Sequence, residues 1–344
     1  MTYVTRTLLS ASLLLSSCAT LCAQDINDEK FYRDHPITIT VGNTAGGGYD
    51  LVARLVSKYM GRYIPGTPAM IVQNMPGAAT LKEANYIYSV APKDGSVIGT
   101  IARGAVVQPL FTTELFDGAR YQWLGSVSKT VSTCIAYKTS HIKSWSDVMS
   151  HEFIAAGQGV SADSDVFALA LKNIFGAKIK LVTGFPGTND MSLAMERGEV
   201  DGFCGLSYST LKVRHGDWLK NKDVTILLQA GLEREDELKD IPFIEDLAKD
   251  KETLQTIRVI TSPQKIALPF AAPPETPATR VTILRKAFDA TMIDKEFRAE
   301  ADRLGIDVDP INGAEVEHIV RQLYATPKNI IARAARAMED GEKK

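Results

Sequence analysis

Apolar residues along this chain switch repeatedly between two periods, and the switching outlines the fold. Ile37-Thr38-Ile39-Thr40-Val41 is β-branched and strand-like, and Leu51, Val52, Leu55, Val56, Tyr59 and Met60 then fall at helical spacing. Between them stand Gly46, Gly47 and Gly48. Residues without a Cβ let the chain turn sharply and let a ligand approach the backbone amides. A helix starting near Asp50 aims its unpaired N–H groups back at that loop, which suits an anion. The same residues also make a tight strand-to-helix turn with no ligand. The move repeats with a strand over 69–73, the loop Asn74-Met75-Pro76-Gly77-Ala78, and a helix carrying Leu81, Ala84, Ile87 and Tyr88. A third strand over 96–101 ends at Arg103-Gly104. This strand–loop–helix order predicts a parallel sheet covered by helices.

A second region of the same texture begins near residue 130. Strands are predicted over 132–137 and 153–156, with a helix starting at 144–148. Gly157-Gln158-Gly159-Val160-Ser161 leads into a helix through Val166, Leu169, Ala170 and Ile174. After a strand at 180–183 comes Gly184-Phe185-Pro186-Gly187-Thr188-Asn189-Asp190, where Thr188 or Asn189 is expected to cap a helix that ends at Gly198. Further strands are predicted at 200–204 and 224–228. A proline-rich stretch ends at Pro277, and helices follow through Val281, Leu284, Ala287 and Phe288, then over 294–304 and 314–324. The last stretch alternates in charge and reads as a solvated face. The pattern predicts two α/β lobes, in keeping with 344 residues, more than one hydrophobic core usually holds.

Composition adds exclusions. Apolar residues make up 45% and charged ones 23%, ordinary for a folded protein. A formal charge of −2 with no basic block argues against a nucleic-acid partner. At the N-terminus, Arg6 precedes Leu8-Leu9-Ser10-Ala11-Ser12-Leu13-Leu14-Leu15, the form of an export signal over 1–23. Two processing readings compete: cleavage after Ala23, or lipidation of Cys18 within Leu15-Ser16-Ser17-Cys18. Cys134 and Cys204 fit either a disulfide or two buried thiols. Scattered histidines, without CxxC or HExxH, give no basis for a metal or any other cofactor.

Several motifs, in order, resemble the Bug or TctC family, extracytoplasmic solute receptors of tripartite tricarboxylate transporters. They are Ala45-Gly46-Gly47-Gly48-Tyr49-Asp50 with Ala53-Arg54, Asn74-Met75-Pro76-Gly77-Ala78, and Ala91-Pro92-Lys93-Asp94-Gly95. Phe185-Pro186-Gly187-Thr188-Asn189, Gly198-Glu199-Val200-Asp201-Gly202, Pro269, the segment 273–277 and Asp294-Lys295-Glu296-Phe297 complete the match. Two departures stand out: Ala79 replaces a common glycine, and Gly184-Phe185-Pro186-Gly187 replaces a common Tyr-Lys-Gly.

The resemblance implies a bilobed type II periplasmic-binding-protein fold, two sheet-and-helix lobes with a ligand cleft between them. Lobe one would span 28–127 and 253–344, and lobe two 128–252. It implies a periplasmic receptor for a small organic mono-, di- or tricarboxylate, delivered to the transporter's membrane subunits, without catalysis. Mapped onto this chain, the ligand-binding candidates in lobe one are Thr44, Ala45, Gly46, Gly47, Gly48, Asp50, Asn74, Pro76, Gly77 and Ala78. Lobe two offers Ser161, Gly187, Thr188 and Asn189. Tyr49 and Phe185 would meet the organic part, Arg54 is read as structural, and Arg103, at a strand end, either reaches an anion or, the preferred reading, serves at the surface. A bilobed sensor for a membrane signalling partner is the alternative. An exported hydrolase would need Ser161, Asp163 and His215, or Cys134 and a histidine, to converge, and no GxSxG elbow is present.

Overall fold

The computed structural model describes residues 27–112, 116–159 and 162–340. The export segment with Cys18, and Ser161, lie outside the described residues. The chain opens with α1 (27–34), β1 (Ile37–Val41), α2 (Gly48–Met60), β2 (Met70–Asn74), α3 (Leu81–Ser89), β3 (Val97–Thr100), α4 (Arg103–Val107) and β4 (Gln122–Ser126). It continues through β5 (Ser132–Tyr137), α5 (Trp145–Ser150), β6 (Phe153–Ala156), α6 (Asp163–Phe175), β7 (Ile179–Val182), α7 (Thr188–Glu196), β8 (Gly202–Ser207), α8 (Tyr208–Arg214), α9 (Gly216–Lys220) and β9 (Val224–Ala230). The return comprises α10 (Lys251–Thr261), β10 (Pro269–Ala272), α11 (Ala278–Ile293), α12 (Lys295–Leu304), β11 (Ile311–Asn312), α13 (Gly313–Tyr324) and α14 (Lys328–Ala337).

Two sheets result: six strands in the order β11-β4-β10-β3-β1-β2 and five in the order β7-β6-β8-β5-β9. The parallel pairing expected of the first three strands is present, and antiparallel strands join it. β1 pairs in parallel with β2 and β3, and β6 with β7 and β8, but β10 runs antiparallel to both β3 and β4. β5 is likewise antiparallel to β8 and β9. Parallel neighbours need a crossover helix to reset their direction. β5 and β10 instead enter their sheets straight from the other lobe.

Helices cover both faces of each sheet, as a sheet with two apolar faces requires. On the first sheet, Val52, Leu55 and Val56 of α2 and Leu284 and Phe288 of α11 bury one face, while Ala84, Ile87, Trp123, Val316 and Val320 belong to the core on the other. On the second, Phe167 and Leu171 of α6 oppose a cluster containing Met191, Met195 and Phe203. A disulfide joins Cys134 of β5 to Cys204 of β8, where the register of the two strands shifts. The terminal stretch is not a solvated face. Ile330, Ala334 and Ala337 of α14 are buried with α10 and α6 residues in the core of the second sheet. Asn173 of α6 donates to the Ala337 and Glu339 carbonyls.

A carboxyl group sits where the pattern predicted only apolar contact. Glu83 of α3 is fully buried, facing β1 and β3, and a Cβ on Gly99 would lie 2.4 Å from its Oε1. Thr40 donates to Oε1 at 2.8 Å, and Oε2 has no partner among the described residues. Burial pushes this carboxyl up to about 8, against the opposing pull of the Thr40 hydroxyl, so it keeps its proton at neutral pH. The unfolded group titrates near 4.5. The stabilisation it provides is therefore complete below that value and declines as pH rises through the folded value. The loss is on the order of 5 kcal/mol. Glu83→Gln should flatten the urea-unfolding free energy between about pH 5 and 8, removing a slope of about 1.4 kcal/mol per pH unit. An unchanged slope would mean that the carboxyl ionises in the folded protein.

Candidate functional site

A cleft of about 930 Å³ opens between the lobes, with Asn43, Tyr49 and Arg103 on the first and Gln158, Asp163 and Thr188 on the second. The glycine loop runs along its edge: Thr44, Ala45, Gly46, Gly47 and Gly48 connect two lining residues, Asn43 and Tyr49. Gly46 adopts φ +83°, a conformation strained for side chains, which turns its N–H onto the Asp50 carboxylate at 2.8 Å. That carboxylate is buried and also accepts from Arg54 Nε at 2.9 Å and Asn74 Nδ2 at 2.9 Å. Asn74 Nδ2 reaches the Asn43 carbonyl as well, at 3.0 Å. Burial alone would raise the Asp50 carboxyl, but these donors hold it below the usual carboxylate range. Asp50 and Asn74 thus hold the loop in shape, and Arg54 is structural, as its place one turn inside the helix suggested. The amides of Gly48, Tyr49 and Asp50 precede the first intrahelical bond, from Leu51 N to Gly47 O, and form the helix terminus beside the cleft.

The second lobe repeats the device. Asp165, buried in the first turn of α6, accepts from the amides of Gln158 and Gly159 at 2.8 and 3.0 Å, from Ser164 Oγ at 2.8 Å and from Thr183 Oγ1 at 2.6 Å. It fastens the loop after β6, as Asp50 fastens the loop after β1. Gly187, in extended conformation, is the cap of α7, so the expectation that Thr188 or Asn189 caps it is corrected. Thr188 lines the cleft instead, its Oγ1 accepting from Gln158 Nε2 at 3.3 Å. Asn189 is exposed. Pro76, Gly77 and Ala78 form an exposed turn that is not among the described lining residues, and Phe185 packs against the cluster around Met191.

Arg103 changes most relative to its predicted place. The strand-end arginine read as a surface residue lies in the cleft at the start of α4, and its guanidinium Nη2 donates to Asp163 Oδ2 across the gap between the lobes. About a quarter of each side chain remains exposed: 27% for Arg103 and 23% for Asp163. The Arg103 amide donates to Tyr49 Oη at 3.0 Å, and that hydroxyl donates to the Ala267 carbonyl at 3.0 Å. Gln264, buried in the returning crossover, donates from Nε2 to Asp163 Oδ2 at 3.2 Å and accepts from Ser132 Oγ at 2.9 Å. Burial works against the charge on Arg103, and Asp163 outweighs it, keeping the guanidinium firmly protonated. One signal in the sequence pointed here: ligands of α/β sheets gather beyond the carboxyl ends of the strands, and Arg103 follows β3.

The groups required for hydrolysis do not assemble among the described residues. His215 stacks on Trp218 with ring centroids 4.0 Å apart, Cys134 is disulfide-bonded, and Asp163 is paired with Arg103. No cluster of three or more histidine, cysteine, aspartate or glutamate side chains suited to a metal occurs among the described residues.

Two α/β lobes with the chain crossing between them and a cleft at the strand ends define the bilobed periplasmic-binding-protein fold, and solved structures bear this out. A TctC solute-binding protein from Polaromonas superposes with a TM-score of 0.67 at 17% identity, covering 88% of this chain and 99% of that one. MatC from Rhodopseudomonas palustris, with bound malate, gives 0.59 at 19% identity over 89% and 99%. A protein of Agrobacterium vitis, described as a UPF0065 protein in the TAR-I ttuE-ttuC' intergenic region, is 24% identical over 301 residues, 79% of this chain and 83% of that protein. No protein-family model matches the chain.

The Asp50 junction makes a stability prediction. Asp50→Ala leaves the Gly46 amide, Arg54 and Asn74 without their acceptor and should cost about 2–4 kcal/mol in urea unfolding at pH 7. Because the native carboxyl is depressed, its contribution is present above the unfolded value near 3.8 and is lost as pH falls through the folded one. The gap between wild type and variant should therefore shrink as pH falls below the unfolded value. Equal stabilities at pH 7 would show that the carboxylate does not hold the loop.

Proposed function

We propose that this chain is an extracytoplasmic solute receptor of the Bug/TctC kind. It captures a small organic carboxylate between its lobes and presents it to the membrane subunits of a tripartite tricarboxylate transporter. The observation that carries this reading is the cleft itself: Arg103 is the single lysine or arginine among its described lining residues, which also include Tyr49 and Thr188 from the first turns of α2 and α7. A guanidinium binds carboxylate through paired N–H donors, and helix N-termini add partial positive charge. MatC, of the same fold, holds malate. Closure of the lobes around the ligand completes its hydrogen bonds, and binding energy shifts the population toward the closed form.

Lobe one is assigned to 28–127 and 253–344 and lobe two to 128–252. Within the second span of lobe one, α10 and α14 both pack in the core of the second sheet. Placement in the periplasm is supported by the Cys134–Cys204 disulfide, which persists in an oxidising compartment, and by the export pattern of 1–23. In the processed protein the chain begins after Ala23 or is anchored through Cys18.

Thermal-shift titration of the mature protein with mono-, di- and tricarboxylates tests the reading. At least one carboxylate should raise the melting temperature saturably, by the equivalent of about 2.7 kcal/mol at a hundred times its Kd. Arg103→Ala should weaken that ligand at least about 30-fold (~2 kcal/mol) while the ligand-free variant still folds. Undiminished affinity in the variant, or no response to any carboxylate, would overturn it.

A further inference from the structure

The charges in the cleft select for more than a carboxylate. Arg103 is matched at close range by Asp163 from the opposite lobe, so the one guanidinium among the described lining residues is already balanced. Asp165 lines the same wall, its carboxylate held by four hydrogen bonds. A second ligand carboxylate would therefore meet acidic groups without a cation to receive it. Like charges a few ångströms apart in a partly buried site oppose binding, because little water lies between them to screen the repulsion.

The pair is also only half used. Among the described residues, Arg103 Nε and Nη1 have no hydrogen-bond partner, and neither does Asp163 Oδ1. Two donors of a planar fork and one carboxylate oxygen thus remain to meet a ligand. Resting on the carboxylate-receptor reading above, we propose that the ligand is zwitterionic. Its carboxylate docks on Arg103 and its ammonium on Asp163, as in an amino acid or another amino-substituted carboxylate. Such a ligand adds no net charge to a balanced pair and gives each partner the hydrogen bonds it lacks. It also touches both lobes at once. Gln264 supports the arrangement by holding Asp163 Oδ2 from the crossover, leaving Oδ1 toward the ligand.

Calorimetry with matched probes tests this on the mature protein: succinate against aspartate, glutarate against glutamate, propanoate against alanine. In at least one pair the amino member should bind at least tenfold more tightly than its unsubstituted partner. Asp163→Asn should cut that preference to within threefold by weakening the amino member. The wild-type comparison needs no variant, so it decides the matter even if Asp163→Asn folds poorly. If the unsubstituted acids bind as well or better, and gain affinity in Asp163→Asn, the zwitterion inference fails while the carboxylate receptor stands. If neither class binds, both fail.

Discussion

Each lobe presents its cleft loop on a buried aspartate, and the geometry of the site depends on that device. Asp50 draws in the Gly46 amide, the Arg54 side chain and the Asn74 side chain, tying the loop after β1 to α2 and to the end of β2. Asp165 does the same for the loop after β6, gathering two loop amides and two hydroxyls. A charge-assisted hydrogen bond is worth about 1.5–3 kcal/mol against a neutral one's ~1, and a buried carboxylate tolerates its charge only when so surrounded. The consequence for binding is indirect. Part of the glycine loop's capacity to receive an anion is taken up by Asp50, so charge recognition falls to the helix termini and to Arg103.

Each sheet has its own core, yet Val107 of α4 and Leu323 of α13 belong to that of the second sheet, and other contacts join the lobes. Within the first lobe, Tyr49 ties α2 to both the Ala267 carbonyl and the start of α4. Gln264 connects the returning crossover to Asp163 and to Ser132 of β5. α14 leaves the first lobe after α13 and inserts Ile330, Ala334 and Ala337 into the core of the second. Relative motion of the lobes must therefore work through the crossovers and this C-terminal strap together, rather than through a single flexible joint.

Much of the fold was legible because burial imposes periodicity. β1, α2, β6, α6 and α11 carry apolar stripes long enough to read, and their helical or strand character follows directly. Parallel pairing of the first strands was legible from their order, but the antiparallel entry of β5 and β10 was not, because it depends on where the chain comes from rather than on what faces the core. α14 was missed although Ile330, Ala334 and Ala337 lie on one face, because the alternating charges of the terminal stretch drew the reading toward a solvated surface. Glu83 was missed for the opposite reason: it interrupts an apolar stripe, and only the space left by Gly99 and the Thr40 hydroxyl makes its burial workable. In the site, glycine loops announce themselves by composition, whereas Arg103 and Asp163 lie 60 residues apart in unrelated local contexts. Thr188, carried over on resemblance, lines the cleft, while the capping role also expected of it went to Gly187.

An ion pair spanning the cleft bears on how ligand and closure are coupled. The Arg103–Asp163 contact already joins the lobes, so a ligand shifts the conformational balance only by what it adds to the closed form beyond that contact. A ligand competing for Arg103 alone would break a cross-lobe link in order to make its own, and much of its binding energy would be offset. One that engages both partners keeps the link and extends it, so nearly all of its interaction energy favours closure. To move such an equilibrium from one part in a hundred to ninety-nine requires about 5.5 kcal/mol of preference for the closed state. A pair left standing makes that requirement easier to meet than a pair that must be broken. The cleft is therefore organised to respond to a molecule that bridges its two charges.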